Sequence, residues 1–513
     1  MKKVFFSLIF ALSLTMQSNS QVPLAWDTAK TQLVSKLTQI NNSIESKWDH
    51  QQYCTSFAGD LGLANSNRGY LLFTPDPENY PFPIPVYQNA LYAKIDTMLM
   101  AFESLGYTAV DLTVQYPMFV KSFPNSKYYL DFYKNVAQKI KMFGFKLSIG
   151  CQASFIDSVF AEKHLANDLY KHYLDPDGNP NTNDQLTQER YKEEKLQMLQ
   201  TIIDSLQPDY LTIEQEPQTQ SANLLHLIDY SVDSTISLIN YFTENLNKQN
   251  VSLGAGAGSW DDIEYFQKIA LTNVDFLDCH IYPVNFSNVD NKFFIIDSIA
   301  DANNKKLMIG EAWCYKITNS ELQNINQPVA TSQLIYSRDV FDYWQSVDSL
   351  FVKAMVLLSQ QSKIELVNFF WPNIMFGQLT YDQSTYGTMS PKQIINLGSE
   401  VGYSNMFRFH LSPIGEYTKS LITNICSSSV IDNEDQSGKF ILFPNPTKDV
   451  VNFLTDQNVT AISIYNYLGE NVAEYRNINN SQISFPTNLP VGVYFAEFTT
   501  NNGKIVKKIV KNK

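Results

Sequence analysis

"PDYLTIEQEPQTQ", residues 208–220, is the stretch from which the fold can be read. Tyr210, Leu211, Thr212 and Ile213 are residue types that suit a half-buried pleated surface. Glu214 and Glu216 follow, and then Pro217, which has no N–H to give a β-ladder. A period of two puts Glu214 and Glu216 on the same face. A buried strand that finishes in paired acids delivers them to a cleft.

The same kind of apolar run recurs on both sides of this one. The candidate strands are 70–75, 109–117, 146–152, 210–217, 251–258, 276–283, 306–313 and 365–372. Helical periodicity fills the gaps. Ile95, Met98, Leu99, Phe102 and Leu105 share a face, as do Leu130, Tyr133, Val136, Ile140 and Phe143. Leu196, Leu199, Ile203 and Leu206 precede the opening stretch, and Val340, Tyr343, Val347 and Leu350 precede the last run. Alternation of strand and helix demands parallel strands with right-handed crossovers. Eight such units predict a closed (β/α)8 barrel of the α/β class rather than an open sheet.

Composition narrows the function. The chain has 513 residues, 44% apolar and 17% charged, enough to bury a large core in more than one domain. A net charge of −13 argues against a nucleic-acid partner. Lys2 and Lys3 precede "VFFSLIFALSL" and the small-residue pattern Ser18-Asn19-Ser20, the layout of a secretory signal peptide over 1–20. No later run is long and apolar enough to span a membrane. The five cysteines, Cys54, Cys151, Cys279, Cys314 and Cys426, are too scattered for a disulfide framework or a clustered metal site.

The barrel domain is expected over 21–425, followed by a turn-rich linker at 426–439. From 440 to 513 the chain changes to short alternating runs between Asn, Gly and Pro turns, the pattern of a small all-β sandwich. Its motifs "FPNPTKDVV", "ISIYNYLGENV" and "LPVGVYFAEF", with the basic end "GKIVKKIVKNK", resemble the C-terminal sorting domain of the type IX secretion system of Bacteroidota. That resemblance implies the type IX machinery as a partner and a secreted or cell-surface destination.

In a (β/α)8 barrel the strand ends gather around one mouth. Glu216 ends the fourth run, and "LMIGEAWC" puts Glu311 at the end of the seventh. Glutamates at these two places resemble the pattern of the clan A glycoside hydrolases, which are retaining enzymes. In that clan the acid/base Glu follows Asn and often precedes Pro; here Gln215 stands in the Asn position. The resemblance implies Glu311 as nucleophile and Glu216 as acid/base, the latter with a raised pKa from burial and the charge of Glu311. It also implies roles for His280 and Tyr282 on the sixth run and Trp371 on the eighth, with Tyr282 holding the nucleophile by a hydrogen bond.

Trp313 and Trp371 are candidates for a sugar platform, and Glu214 for structural support of Glu216 ahead of substrate binding or acid catalysis. Arg68, Gln115, Gln152 and Trp260 are candidates by location alone. The chemistry requires no cofactor and no metal. The expected substrate is a polysaccharide or oligosaccharide with β-glycosidic bonds; a galactan, a mannan and a glucan all fit. The rival from another class is a noncatalytic carbohydrate-binding barrel or surface adhesin.

Overall fold

The computed structural model describes residues 22–511 except 65–84, 125, 155–164, 180–183, 283, 285–288, 324–327, 424, 426–440, 444–446, 456–457, 467–469, 477, 479–480, 487–488, 491 and 502. The signal-peptide segment, the candidate strand 70–75, Arg68 and the linker 426–439 therefore lie outside the described residues.

Eight parallel strands close into a barrel: β1 (Ser56–Asp60), β2 (Ala109–Thr113), β3 (Lys146–Gly150), β4 (Tyr210–Glu214), β5 (Ser252–Gly258), β6 (Phe276–Ile281), β7 (Lys306–Ala312) and β8 (Leu366–Phe369). β8 pairs back onto β1, so the ring closes without the 70–75 segment. The first strand is instead "SFAGD", whose Ala, Gly and Asp are weak strand formers. Small residues are used here because the neighbours are large: a Cβ on Gly59 would lie 2.7 Å from the Tyr107 ring.

The expected helical faces are buried. Ile95, Met98, Leu99, Phe102 and Leu105 lie on Pro85–Leu105, and Tyr133, Val136 and Ile140 on Ser126–Met142. The last pattern is split, because Val340 and Tyr343 precede the helix Gln345–Gln361, which carries Val347 and Leu350. Sequence reading did not anticipate the helix Leu24–Glu45. It is tied on by Asn41 Nδ2 to the Leu350 carbonyl (3.0 Å) and by Lys30 Nζ to that of Tyr343 (2.7 Å).

Inside the barrel the side chains are layered. Ala58, Ala109, Tyr210, Phe276, Met308 and Leu366 make an apolar plug. One step towards the strand C-termini the inward positions turn polar: Asp60, Asp111, Ser148, Thr212, Asp278 and Asn368, all buried. That layer forms the floor beneath the mouth.

The C-terminal region is all β. β9 (Ile441–Phe443), β10 (Val450–Leu454) and β13 (Gln482–Ser484) form one antiparallel sheet, in the order β13-β10-β9. β11 (Val459–Asn466), β12 (Asn471–Arg476), β14 (Gly492–Thr500) and β15 (Gly503–Lys511) form the other, in the order β12-β11-β14-β15. Val451, Phe453 and Ile483 of the first share a core with Ile462, Ile464, Phe498 and Ile509 of the second. The two sheets are packed face to face, as a sandwich requires. Among the described residues no helix is long and apolar enough to cross a membrane.

Candidate active site

Glu216 and Glu311 reach the barrel mouth by breaking the alternation of their strands. On β4 the pairing to β5 slips, with Thr212 opposite Gly254 but Glu214 opposite Ala255. Thr212 faces inward and donates to Asp278 Oδ2 at 2.7 Å. Glu214 turns outward to the helix Gln188–Leu206, where Lys195 Nζ lies 2.7 Å from its Oε1. The Tyr230 and Tyr191 hydroxyls also donate to it, at 3.1 and 3.4 Å. Glu214 and Glu216 do not share a face: the bulge turns Glu214 outward, and Glu216, past the strand end, is turned back to the mouth by its left-handed backbone. Glu214 is a buried ion-pair partner that braces the strand.

Beyond the bulge, Gln215 Nε2 donates to Gln152 Oε1 at 3.0 Å. Glu216 lies past the strand end, in a left-handed conformation (φ 46°) that caps the helix Pro217–Asn223. A non-glycine residue held there is uncommon and marks a backbone bent to aim its side chain.

β7 does the same. Asp278 pairs with Met308 but His280 with Glu311, so Ile309 and Gly310 together oppose a single residue of β6. The bulge brings Glu311 inward beside His280. The three side chains then converge: one ligand-type atom from each of Glu216, His280 and Glu311 lies within 4.8 Å of the others. His280 Nδ1 is 2.6 Å from Glu216 Oε1 and 3.9 Å from Glu311 Oε2. A nitrogen–oxygen separation of 2.6 Å is that of a charge-assisted hydrogen bond. Asp175, Asp177 and Asp184 also bring carboxylate oxygens together, Asp175 half-buried and the other two exposed.

The electrostatics of the cluster follow from burial and like charge. Burial pushes the Glu311 carboxyl well above its ordinary range, with Glu216, Asp111 and Asp60 adding to the rise and His280 opposing it. Burial pulls His280 down, but Glu311, Asp278 and Glu216 outweigh it and hold the imidazole well above its usual value. Asp261, in the loop after β5, is pushed up to about 6 by burial, with Glu216 contributing.

The aromatic candidates form one wall. The Tyr282 ring stacks on Trp260 (5.1 Å between centroids) and on Tyr315 (5.4 Å). Its hydroxyl makes no hydrogen bond to Glu311 among the described contacts; His280 is the neighbour that approaches that carboxylate. Trp313 is buried, stacks on Tyr336 at 4.4 Å, and donates through Nε1 to Asp339 Oδ2 at 3.1 Å. Trp371 packs edge-on against Tyr336 and Trp313. On the opposite side, Gln115, Gln152 and Gln215 follow the ends of β2, β3 and β4, and Ser154 Oγ donates to Gln115 Oε1 at 2.9 Å.

Sequence reading missed Asp111, Asp261, Asp278, Tyr315 and Lys195. Asp278 carried a usable signal, since it shares the inward parity of His280 in "FLDCHIYP". Lys195 carried none, because its partner is identified only by the bulge.

Residues 441–512 match the family described as the secretion system C-terminal sorting domain. This domain indicates export and a secreted or cell-surface location. No curated protein matches the chain by sequence. Solved structures with a similar fold include a GH5_18 protein from Bifidobacterium longum subsp. longum in complex with Manb1-4GlcNAc, at 11% identity and TM-score 0.44, covering 74% of this chain and 79% of that one. A second is an endo-beta-1,4-mannanase from Cellulomonas fimi, at 11% identity and TM-score 0.36, covering 94% and 98%. A third is a GH30 endoxylanase from Clostridium papyrosolvens, at 10% identity and TM-score 0.38, covering 90% and 95%.

Proposed function

We propose that this chain is a retaining glycoside hydrolase that cleaves β-glycosidic bonds of a polysaccharide or oligosaccharide outside the cell. Glu311 is the nucleophile and Glu216 the acid/base. On this reading the barrel domain spans 21–425, and residues 440–513, after the linker, address the chain to the type IX machinery.

The observation that carries the reading is the approach of Glu216 and Glu311, with carboxylate oxygens within 4.8 Å of each other. Retaining enzymes hold their two carboxyl groups about 5–5.5 Å apart, whereas inverting enzymes leave about 6.5–9.5 Å for a water molecule. In the first step Glu311, in the ionised form that the neighbouring His280 imidazolium favours against the burial, attacks the anomeric carbon. The glycosidic C–O bond breaks, and the leaving oxygen takes the proton held in the Glu216–His280 bond. In the second step Glu216 removes a proton from water, whose oxygen attacks the anomeric carbon and releases Glu311. The aromatic wall of Trp260, Tyr282, Tyr315, Trp313 and Trp371 supplies stacking surface, and the amides of Gln115, Gln152 and Gln215 supply hydroxyl recognition.

The test is release of reducing ends from a panel of neutral galactans, mannans and glucans by the parent and by Glu216→Gln and Glu311→Gln. The expected result is turnover on one class, reduced by about 10²–10⁴ in each variant. Equal binding without turnover in all three proteins would favour the noncatalytic barrel.

A further inference from the structure

The buried carboxylate of Asp278 on β6 belongs to neither proposed catalytic role, yet it touches every strand that carries one. Its Oδ2 accepts from Thr212 Oγ1 at 2.7 Å, on the strand that leads into Glu216. Its Oδ1 accepts from the Gly310 backbone N–H at 2.8 Å, the residue before Glu311. The same Oδ2 lies 3.7 Å from His280 Nε2, an ion-pair separation too long for a hydrogen bond.

Two glycines make room for this arrangement. A Cβ on Gly310 would lie 2.4 Å from Asp278 Oδ1, and one on Gly256 would lie 1.6 Å from the Asp278 carbonyl oxygen. The clearance on β7 is for the Asp278 side chain, and that on β5 is for its backbone.

We infer that Asp278 is a positioning residue for the proposed hydrolysis: it locks β4, β6 and β7 in register at the floor and orients His280 so that Nδ1 meets Glu216. The inference rests on the hydrolase reading for its functional meaning, but the contact itself can be tested without a substrate. Burying a carboxylate between a hydroxyl and an amide N–H is tolerable because both hydrogen bonds are made. Its negative charge then faces the far side of the imidazole. Among the described residues the other ionisable groups around His280 are the carboxyls of Glu216, Glu311, Asp111 and Asp261 and the phenol of Tyr282, none of them cationic. With its Nε2 side against Asp278, the ring keeps the proton on its Nδ1 side available to Glu216.

Asp278→Asn is the informative variant. The amide oxygen still accepts from Gly310, and the amide nitrogen can donate to the Thr212 hydroxyl, so the brace survives while the charge is removed. His280 is one of six histidines, and its ring signal can be assigned by comparison with His280→Gln. Titration of ¹³C-histidine protein by NMR should show its protonation midpoint falling by at least about one pH unit, the effect of losing an opposite charge within 4–6 Å. The basic limb of kcat/KM should fall by the same amount, with KM unchanged.

An unchanged midpoint in folded Asp278→Asn overturns the inference, whether or not any polysaccharide is hydrolysed. A shifted midpoint in a chain with no turnover keeps the contact and removes the hydrolase reading. If Asp278→Asn does not fold, Thr212→Val removes only the hydroxyl and the same titration is read on it. The midpoint then rises as the carboxylate loses a donor; no change overturns the inference.

Discussion

Lys195→Met is the substitution whose cost can be worked out furthest. Lys195 and Glu214 are both buried, with Nζ 2.7 Å from Oε1. Methionine keeps most of the side-chain length but leaves Glu214 with only the Tyr230 and Tyr191 hydroxyls. Burial already pushes the Glu214 carboxyl upward, and Lys195 is the main opposing influence. Without it the carboxyl meets the stranded-charge cost by taking up a proton. Measured from an ordinary unfolded-state Glu pKa near 4.3, that uptake costs about 1.4 kcal/mol per pH unit, hence at most about 1 kcal/mol at pH 5 and about 4 kcal/mol at pH 7, less whatever the already raised parent carboxyl bears. The pH 7 figure agrees with the roughly 3–5 kcal/mol typical of breaking a buried pair.

Urea unfolding of Lys195→Met at pH 5, 6 and 7 should therefore show a destabilisation that grows with pH. The double variant Lys195→Met/Glu214→Gln, which buries no charge, should recover at least about half of the pH 7 loss and show no such slope. If it turns over substrate within about tenfold of the parent, Glu214 is structural. A Lys195→Met cost below about 1 kcal/mol at pH 7, or one independent of pH, refutes the assignment of Glu214 to a buried pair.

Two further outcomes follow from the site. Asp261 has a folded-state pKa near 6 against an ordinary value of 3.8, so its contribution to stability is fully present below pH 4 and lost as pH rises through 6. Asp261→Asn should match the parent at pH 4 and exceed it by up to about 3 kcal/mol at pH 8 in urea melts; equal stability at both pH values would count against a buried, desolvated carboxyl. Gly256→Ala places a methyl group 1.6 Å from a backbone oxygen of β6. It should cost at least about 3 kcal/mol or prevent folding, and a thermal melt within 2 °C of the parent, on the order of the shift from about 1 kcal/mol, would contradict the packing described.

The barrel was legible because its signal is repeated: seven of the eight expected runs coincide with observed strands, and the intervening helices bury the expected faces. The first strand was missed because "SFAGD" is chosen for close approach to Tyr107 and Phe102 rather than for strand propensity. The acids were legible as strand-end residues but not as to facing. Alternation puts Glu214 and Glu216 together and turns Glu311 away from Met308's side of β7. The bulge on β7 reverses the reading of Glu311, and on β4 the bulge together with the left-handed backbone at Glu216 parts Glu216 from Glu214. A bulge depends on how one strand registers against its neighbour, and no period within a single strand encodes that. The same limit hid Lys195 and the reach of Asp278, whose partners are set by contacts across the ring.

The central claim is that Glu311 forms a covalent bond to the sugar. The most direct measurement is peptide mass mapping after incubation with 2-deoxy-2-fluoro-β-glycosyl fluorides of the gluco, manno and galacto series, which form the intermediate but release it slowly. The account predicts one added glycosyl group on the peptide containing Glu311, in the parent and in Lys195→Met/Glu214→Gln, and none in Glu311→Gln. An adduct on Glu216 or Glu214, or hydrolysis with inversion and no adduct, would contradict it.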